Sequence, residues 1–222
     1  MQRFFEILPG ALAWTTLILM VVVSKYAPVF AAIFIILFDI YWLLKIIVLS
    51  SYLSFSFREM RRNMKVNWLT KVKEINGWED LYHLVILPMT DEPYAVVRET
   101  FESLTRENYP KDKFIIALAI EERCGEGAIN VATKAREEFG DKSHKFLVVS
   151  HPASLPGEII GKGSNQAWAA RRVKELVIDK EKIDYEKILV SVFDVDTQVY
   201  PEYFGRLTHA FLTTENRQRA SY

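Results

Sequence analysis

Two regimes of hydrophobic patterning divide the chain. Residues 7–24 and 28–49 are almost unbroken apolar runs, and between positions 7 and 53 the only formal charges are Lys25, Asp39 and Lys45. Each run approaches the ~20 residues that a helix needs to cross the hydrocarbon core. A signal peptide is the alternative for the first run, but that run is long, no small-residue cleavage site follows it, and the second begins almost at once. The pair predicts a transmembrane helical hairpin over residues 1–53, turning at Ser24-Lys25-Tyr26-Ala27-Pro28, with both ends on one side of the bilayer. Beyond it stand Arg58, Arg61, Arg62, Lys65, Lys71 and Lys73. Basic residues beside a span favour the cytoplasm, so the rest of a multi-pass membrane protein is expected there. Residues 54–78 interleave these cations with Phe55, Met60, Trp68 and Leu69, as a basic interfacial linker helix lying on the lipid bilayer would. Asp39 lies deep in the second run, where an ionisable group is a functional candidate by default. Two helices bury a carboxylate poorly, so contact with further helices is the simpler expectation for it.

From residue 79 onward, short apolar runs alternate with longer amphipathic ones. Residues 82–87, 114–120, 146–150 and 188–193 read as buried strands, the first ended by Pro88. Residues 94–106, 128–139, 164–178 and 201–213 read as helices, with Pro201 suited to a first turn. This alternation predicts an α/β domain whose mainly parallel, Rossmann-like sheet is covered on both faces. Ligands of such sheets bind beyond the carboxyl ends of the strands, so the chemistry is expected just after Leu87, Ile120, Ser150 and Phe193.

Composition refines this picture. The 28 basic and 28 acidic residues cancel, which argues against nucleic acid as a partner, because phosphate contacts need a clustered basic excess. Cys124 is the single cysteine, so no intramolecular disulfide or cysteine metal cluster can form, as suits a reducing compartment. His83, His144, His151 and His209 do not cluster at ligand spacing.

The strand ends carry the candidate chemistry. After the first comes Pro88-Met89-Thr90-Asp91-Glu92-Pro93, whose acids also sit where a helix N-terminus favours them. After the second come Glu121 and Glu122, either contacts for a ribose or base or solvated loop charges. The segment 157–165 fails as a phosphate loop of the Walker type: three residues separate Gly157 from Gly161-Lys162, and Gly163 stands where Ser or Thr is required. A lysine between glycines at a helix start can still approach an anion closely; a plain capping loop is the alternative. After the fourth strand stand Asp194 and Asp196, two carboxylates at i, i+2 that are costly near a buried edge without a counter-ion. A divalent cation bridging them to a diphosphate removes that cost.

Taken together, these residues resemble the family 2 glycosyltransferases, enzymes of the GT-A fold that include cellulose, hyaluronan and poly-N-acetylglucosamine synthases. Pro88-Met89-Thr90-Asp91-Glu92 is similar to the family's Pro-x-Tyr-Asn-Glu. Ser103-Leu104-Thr105-Arg106-Glu107-Asn108-Tyr109-Pro110 follows its Ser-Leu-x-x-Gln-x-Tyr-Pro, with Glu107 in place of Gln. Gly161-Lys162-Gly163-Ser164-Asn165 resembles its Gly-Lys-x-x-x-Asn, one residue shorter, and Asp194-Val195-Asp196 falls at its metal-binding Asp-x-Asp. The resemblance covers residues 84–204. It implies a GT-A domain over 79–222, with Pro88, Thr90, Asp91, Glu92, Glu121, Glu122, Lys162, Asn165 and Asp194 at a nucleoside diphosphate sugar (uridine diphosphate favoured) and Asp194 and Asp196 on Mg²⁺ or Mn²⁺.

The chain departs from the family in carrying Glu121 and Glu122 where an Asp pair is usual. The family's catalytic carboxylate and its Gln-x-x-Arg-Trp motif lie further along than residue 222, so the chain reads as an N-terminal fragment with no catalytic base of its own. The implied reaction is inverting transfer of a sugar to the hydroxyl of a saccharide or lipid acceptor. Two rival readings are a non-catalytic GT-A-like scaffold or nucleotide sensor, which would be marked by loss of the metal carboxylates, and a membrane nucleotidyltransferase. The latter would be marked by a glycine-rich loop after the first strand, and residues 88–93 contain no glycine.

Overall fold

The computed structural model describes residues 2–153, 155–159 and 161–220; Ile160 of the 157–165 segment lies outside them. The chain divides into two units, Met1–Asn63 and Met64–Tyr222.

The first unit is two helices, α1 (Gln2–Tyr26) and α2 (Pro28–Asn63). Both are long and apolar enough to cross a membrane, with mean hydropathies of 2.1 and 2.5 over their most apolar windows, and this supports membrane association. The expected five-residue turn shrinks to Ala27. Its N–H still donates to Val23 O at 2.7 Å, and its carbonyl accepts from Ala31 N–H at 3.1 Å. Pro28, lacking an N–H, begins α2 where no donor is required. Nor does the second helix stop near residue 53. No glycine or proline interrupts the sequence between Pro28 and Gly77, and α2 carries on through Arg58, Arg61 and Arg62. Part of the predicted linker is therefore the end of the second long helix.

The second unit begins with a short helix, α3 (Trp68–Val72), capped by Asn67 Oδ1, which accepts from Thr70 N–H at 2.9 Å. The sheet comprises β1 (Tyr82–Met89), β2 (Phe114–Glu121), β3 (Lys145–His151) and β4 (Ile188–Val192). Its order is β3-β2-β1-β4, and every pairing is parallel. Helices α4 (Tyr94–Thr105), α5 (Gly125–Phe139) and α8 (Tyr203–Thr213) cover one face. There Val85, Leu87 and Met89 pack with Val97, Phe101, Ala132 and Phe204. On the other face lies α6 (Lys162–Val173), which passes through a π-helical turn (Lys174–Ile178) into α7 (Asp179–Glu181). Leu84, Ile86, Ile115 and Ala117 meet Ala169, Val173 and Val177 on that side. Alternate residues of one strand thus feed two cores, which is why β1 and β2 read as continuous apolar runs.

The sequence pattern ends β1 at Leu87, because proline has no ladder donor, yet the strand continues through Pro88 to Met89. Ile86 O accepts the N–H of Phe193 at 3.1 Å, so Ile86 and, two residues on, Pro88 face β4. That strand has already ended at Val192. The missing donor of Pro88 therefore falls where no partner strand needs it, while Pro88 keeps its register opposite Ala119 of β2.

Candidate functional site

The four strands deliver their following loops to one end of the sheet, and each loop is fixed by a local bond. After β1, Thr90 N–H donates to Glu92 Oε2 at 2.7 Å, and Thr90 Oγ1 donates to Asp91 Oδ1 at 3.2 Å. The acids of this turn thus hold its own backbone and hydroxyl, as short polar side chains do in turns.

After β2, Glu121 is only 5% exposed. Arg123 grips it through Nε and through Nη2, the latter at 3.1 Å from Oε1. That charge-assisted fork raises the guanidinium pKa further above its ordinary value. Glu122 turns the other way: it is exposed and its Oε2 accepts from Ala153 N–H at 3.1 Å. Its role is to tie the loop after β2 to the loop after β3. Cys124, next along, has its thiol pKa pushed up by burial and by the charge of Glu121, the opposite of an activated nucleophile.

After β3, buried His151 meets Glu158 Oε2 at 2.9 Å, and Trp168 Nε1 donates to Ser150 O at 3.0 Å. These contacts pin both ends of the segment that leads into α6. Asn165, in the first turn of α6, is 1% exposed and donates through Nδ2 to Ala119 O at 3.0 Å, docking the helix start on β2. That bond orients the amide, and Oδ1 is left without a hydrogen-bond partner. Lys162, the first residue of α6, forms an ion pair with Asp194 across the sheet end.

After β4, Val195 is buried, and its carbonyl accepts from Thr100 Oγ1 at 2.6 Å. Anchoring this central residue leaves Asp194 and Asp196 exposed on either side of it. Thr197 N–H donates to Asp194 O at 2.9 Å, closing the turn.

These loops enclose a cleft of about 320 Å³ lined by Pro88, Thr90, Glu92, Glu121, Arg123, Lys162, Asn165, Asp194, Val195 and Asp196. The structure therefore brings most of the sequence-derived site residues to one place, where the parallel sheet leads one to look. It leaves out Asp91 and Glu122, whose carboxylates serve the local bonds described above. It adds Arg123, which lacks a signature of its own because its place depends on Glu121 being buried. A larger cleft of about 420 Å³ runs along β4 and α8, past Val190, Val192 and Phe211.

Among the described residues, no three of His, Cys, Asp and Glu gather where they could hold a metal ion. Asp194 and Asp196 alone supply two carboxylates, whereas Mg²⁺ takes about six oxygens and is usually held by one or two carboxylates plus substrate phosphates and water. The two carboxylates, one of them already paired with Lys162, do not make an all-protein cage, and a cation held there would need its remaining oxygens from water or a ligand.

Compared with known proteins, the chain matches no family model, no curated protein and no solved structure. The functional reading accordingly rests on the motifs and on the geometry of the cleft.

Proposed function

We propose that this protein is a membrane-anchored inverting glycosyltransferase of the GT-A type. It would transfer a sugar from a nucleoside diphosphate sugar to a saccharide or lipid hydroxyl at the cytoplasmic membrane face, in polysaccharide or glycolipid synthesis. One observation carries the reading. Carboxylates and cations from four separate sequence elements converge on one cleft at the carboxyl end of a parallel sheet. That convergence is what a polyanionic, hydroxyl-rich ligand bound through a cation requires.

Each residue has a task in this scheme. Asp194 and Asp196 are exposed carboxylates lining the cleft, where Mg²⁺ or Mn²⁺ would neutralise the charge growing on the departing diphosphate. Lys162 offers its ammonium to the same phosphates from the start of α6, where the first-turn N–H groups also favour an anion. Thr90 and Glu92, which also line the cleft, would lie against the donor. Asn165 holds the α6 start against β2, and so sets where Lys162 begins.

Calorimetric titration tests the scheme. Uridine diphosphate should bind with Mg²⁺ or Mn²⁺ and not with a chelator. Asp196→Asn should weaken that metal-dependent binding by more than the ~1.5–3 kcal/mol typical of one hydrogen bond to a charged group. Glu122→Gln, lying off the cleft, should bind as the parent does. Equal binding in chelator, or an unaltered Asp196→Asn, would remove the metal from this site.

A further inference from the structure

We infer that the face built jointly by α3 and α8 is a docking surface of the second unit for anionic lipid headgroups. The inference rests on the membrane association of the first unit and is independent of what the cleft binds. The sequence suggests one interfacial helix over residues 54–78, yet beyond α2 the only α-helix in that stretch is the five residues of α3. The cations of the face come instead from two distant segments. Residues 64–75 hold Lys65, Lys71 and Lys73 against one acid, Glu74, and α8 brings Arg206 with no acid of its own. Trp68 lies between the two segments. Lys71 Nζ is 5.0 Å and Arg206 Cζ 6.0 Å from its ring, and the ring of His209 meets it edge-on at 5.0 Å. An aromatic face holds a cation through its quadrupole without supplying a counter-charge. All four cations are exposed, and among the described residues none of them forms an ion pair. Elsewhere in this unit Arg98, Lys174 and Lys187 each meet a carboxylate at 2.7–2.8 Å.

Four uncompensated cations around a tryptophan call for an anionic partner, and attachment decides which. Met64, the residue that follows α2 in the chain, is fixed to this face: Tyr200 Oη donates to Met64 O at 2.8 Å. Leu69 N–H donates to Glu202 Oε2 at 3.0 Å and holds the next turn beside α8. The chain therefore passes from its apolar helix directly into the cationic face. A bilayer that holds α2 is then the anionic surface present at the highest effective concentration, since the tether makes the encounter intramolecular. Tryptophan flanked by Lys and Arg is the side-chain set of membrane–water interfaces, and each cation brought to an anionic leaflet adds to the attraction.

The test uses the whole chain in lipid nanodiscs, with Cys124→Ser and a fluorophore on Thr70→Cys, an exposed position of α3. A quencher is carried on the lipid headgroups. Quenching should be stronger in discs of phosphatidylcholine mixed with phosphatidylserine than in phosphatidylcholine alone, and high salt should remove the difference. A fluorophore on Lys180→Cys, in α7 on the opposite side of the sheet, should show no such rise. Lys71→Gln and Arg206→Gln change exposed side chains that have no ion partner, so both variants should fold. Each should lower the ratio of docked to free domain about fivefold, the worth of one cation at an anionic leaflet. Equal quenching in the two lipids, the result expected if this face meets an acidic protein instead, would overturn the inference. So would an equal rise at Lys180→Cys, or a double variant quenched as strongly as the parent.

Discussion

His83 and Glu107 are buried groups outside the cleft whose titration opposes one another. His83 is 0% exposed, bonded through Nε2 to Thr208 Oγ1 at 2.9 Å and surrounded by the rings of Tyr109, Phe114 and Phe204. Burial pushes its pKa from 6.5 down to about 3. Glu107, 4% exposed, is pushed by burial from 4.5 up to about 8, against the pull of Lys111. An unfolded His83 takes up a proton that the folded one refuses, so stability falls as pH drops from 6.5 toward 3. An unfolded Glu107 releases a proton that the folded one keeps, so stability falls as pH rises from 4.5 to 8. The two slopes cancel where the windows overlap. Outside the overlap each limb tends toward ~1.4 kcal/mol per pH unit. Glu107→Gln, which removes the titrating group and keeps its shape, should abolish the alkaline limb. It should stabilise the fold most near pH 8, by about 1–3 kcal/mol. Thermal unfolding of parent and variant across this range measures it, and curves that superimpose at alkaline pH would refute the assignment of Glu107.

At the scale of elements, α8 packs closely on α3 at Gly205. A Cβ at Gly205 would stand 3.1 Å from Leu69 N and 3.2 Å from Trp68 Cβ. The joint is closed beside it by Glu202, which accepts from Leu69 N–H at 3.0 Å and from Asn108 Nδ2 at 2.7 Å. Valine in place of Gly205 gains a few tenths of a kcal/mol of helix propensity but overpacks the joint by ~1–3 kcal/mol. Gly205→Val should therefore lower the Tm by roughly 4–8 °C, which corresponds to ~2 kcal/mol in a domain of this size. A Tm within a degree of the parent would show that α3 yields freely. This joint has no signature in the sequence, because an isolated glycine in a helix pattern says nothing about what it approaches. The strands are legible for the opposite reason: buried on both faces, Tyr82–Met89 and Phe114–Glu121 write themselves as apolar runs. The continuation through Pro88 depends on β4 stopping short, a matter of register between distant segments. Lys162, Asp194 and Asp196 stand out through spacing and position at strand ends. Arg123 does not, since its place in the cleft follows from the burial of Glu121, and Glu122 drops out because its carboxylate bonds Ala153 N–H.

At the scale of the whole molecule, solvent is what distinguishes the two units. In the first, nearly every side chain from Phe4 to Met60 is exposed, among them Phe34, Ile36, Leu37 and Trp42. A soluble protein rarely leaves a continuous apolar surface larger than a few hundred Å² in water. Helices in lipid, by contrast, satisfy their backbone internally and need no partner for such side chains. The 36 residues of α2 span roughly 54 Å at 1.5 Å per residue, far more than the ~30 Å of hydrocarbon. One end of α2 must then leave the hydrocarbon. The terminal stretch holding Arg58, Arg61 and Arg62 is the part suited to do so, and cations beside a span favour the cytoplasm. With only Ala27 between α1 and α2, a second crossing returns the chain to the side on which it began. Both termini are therefore expected in the cytoplasm. A reporter active only in the cytoplasm, fused after Tyr222, should be active. Replacing Arg58, Arg61 and Arg62 together with Gln should reduce the fraction so oriented, since orientation follows the balance of flanking Lys and Arg. A parent fusion active only on the far side of the membrane would refute the topology, and with it the proposed use of a cytoplasmic sugar donor.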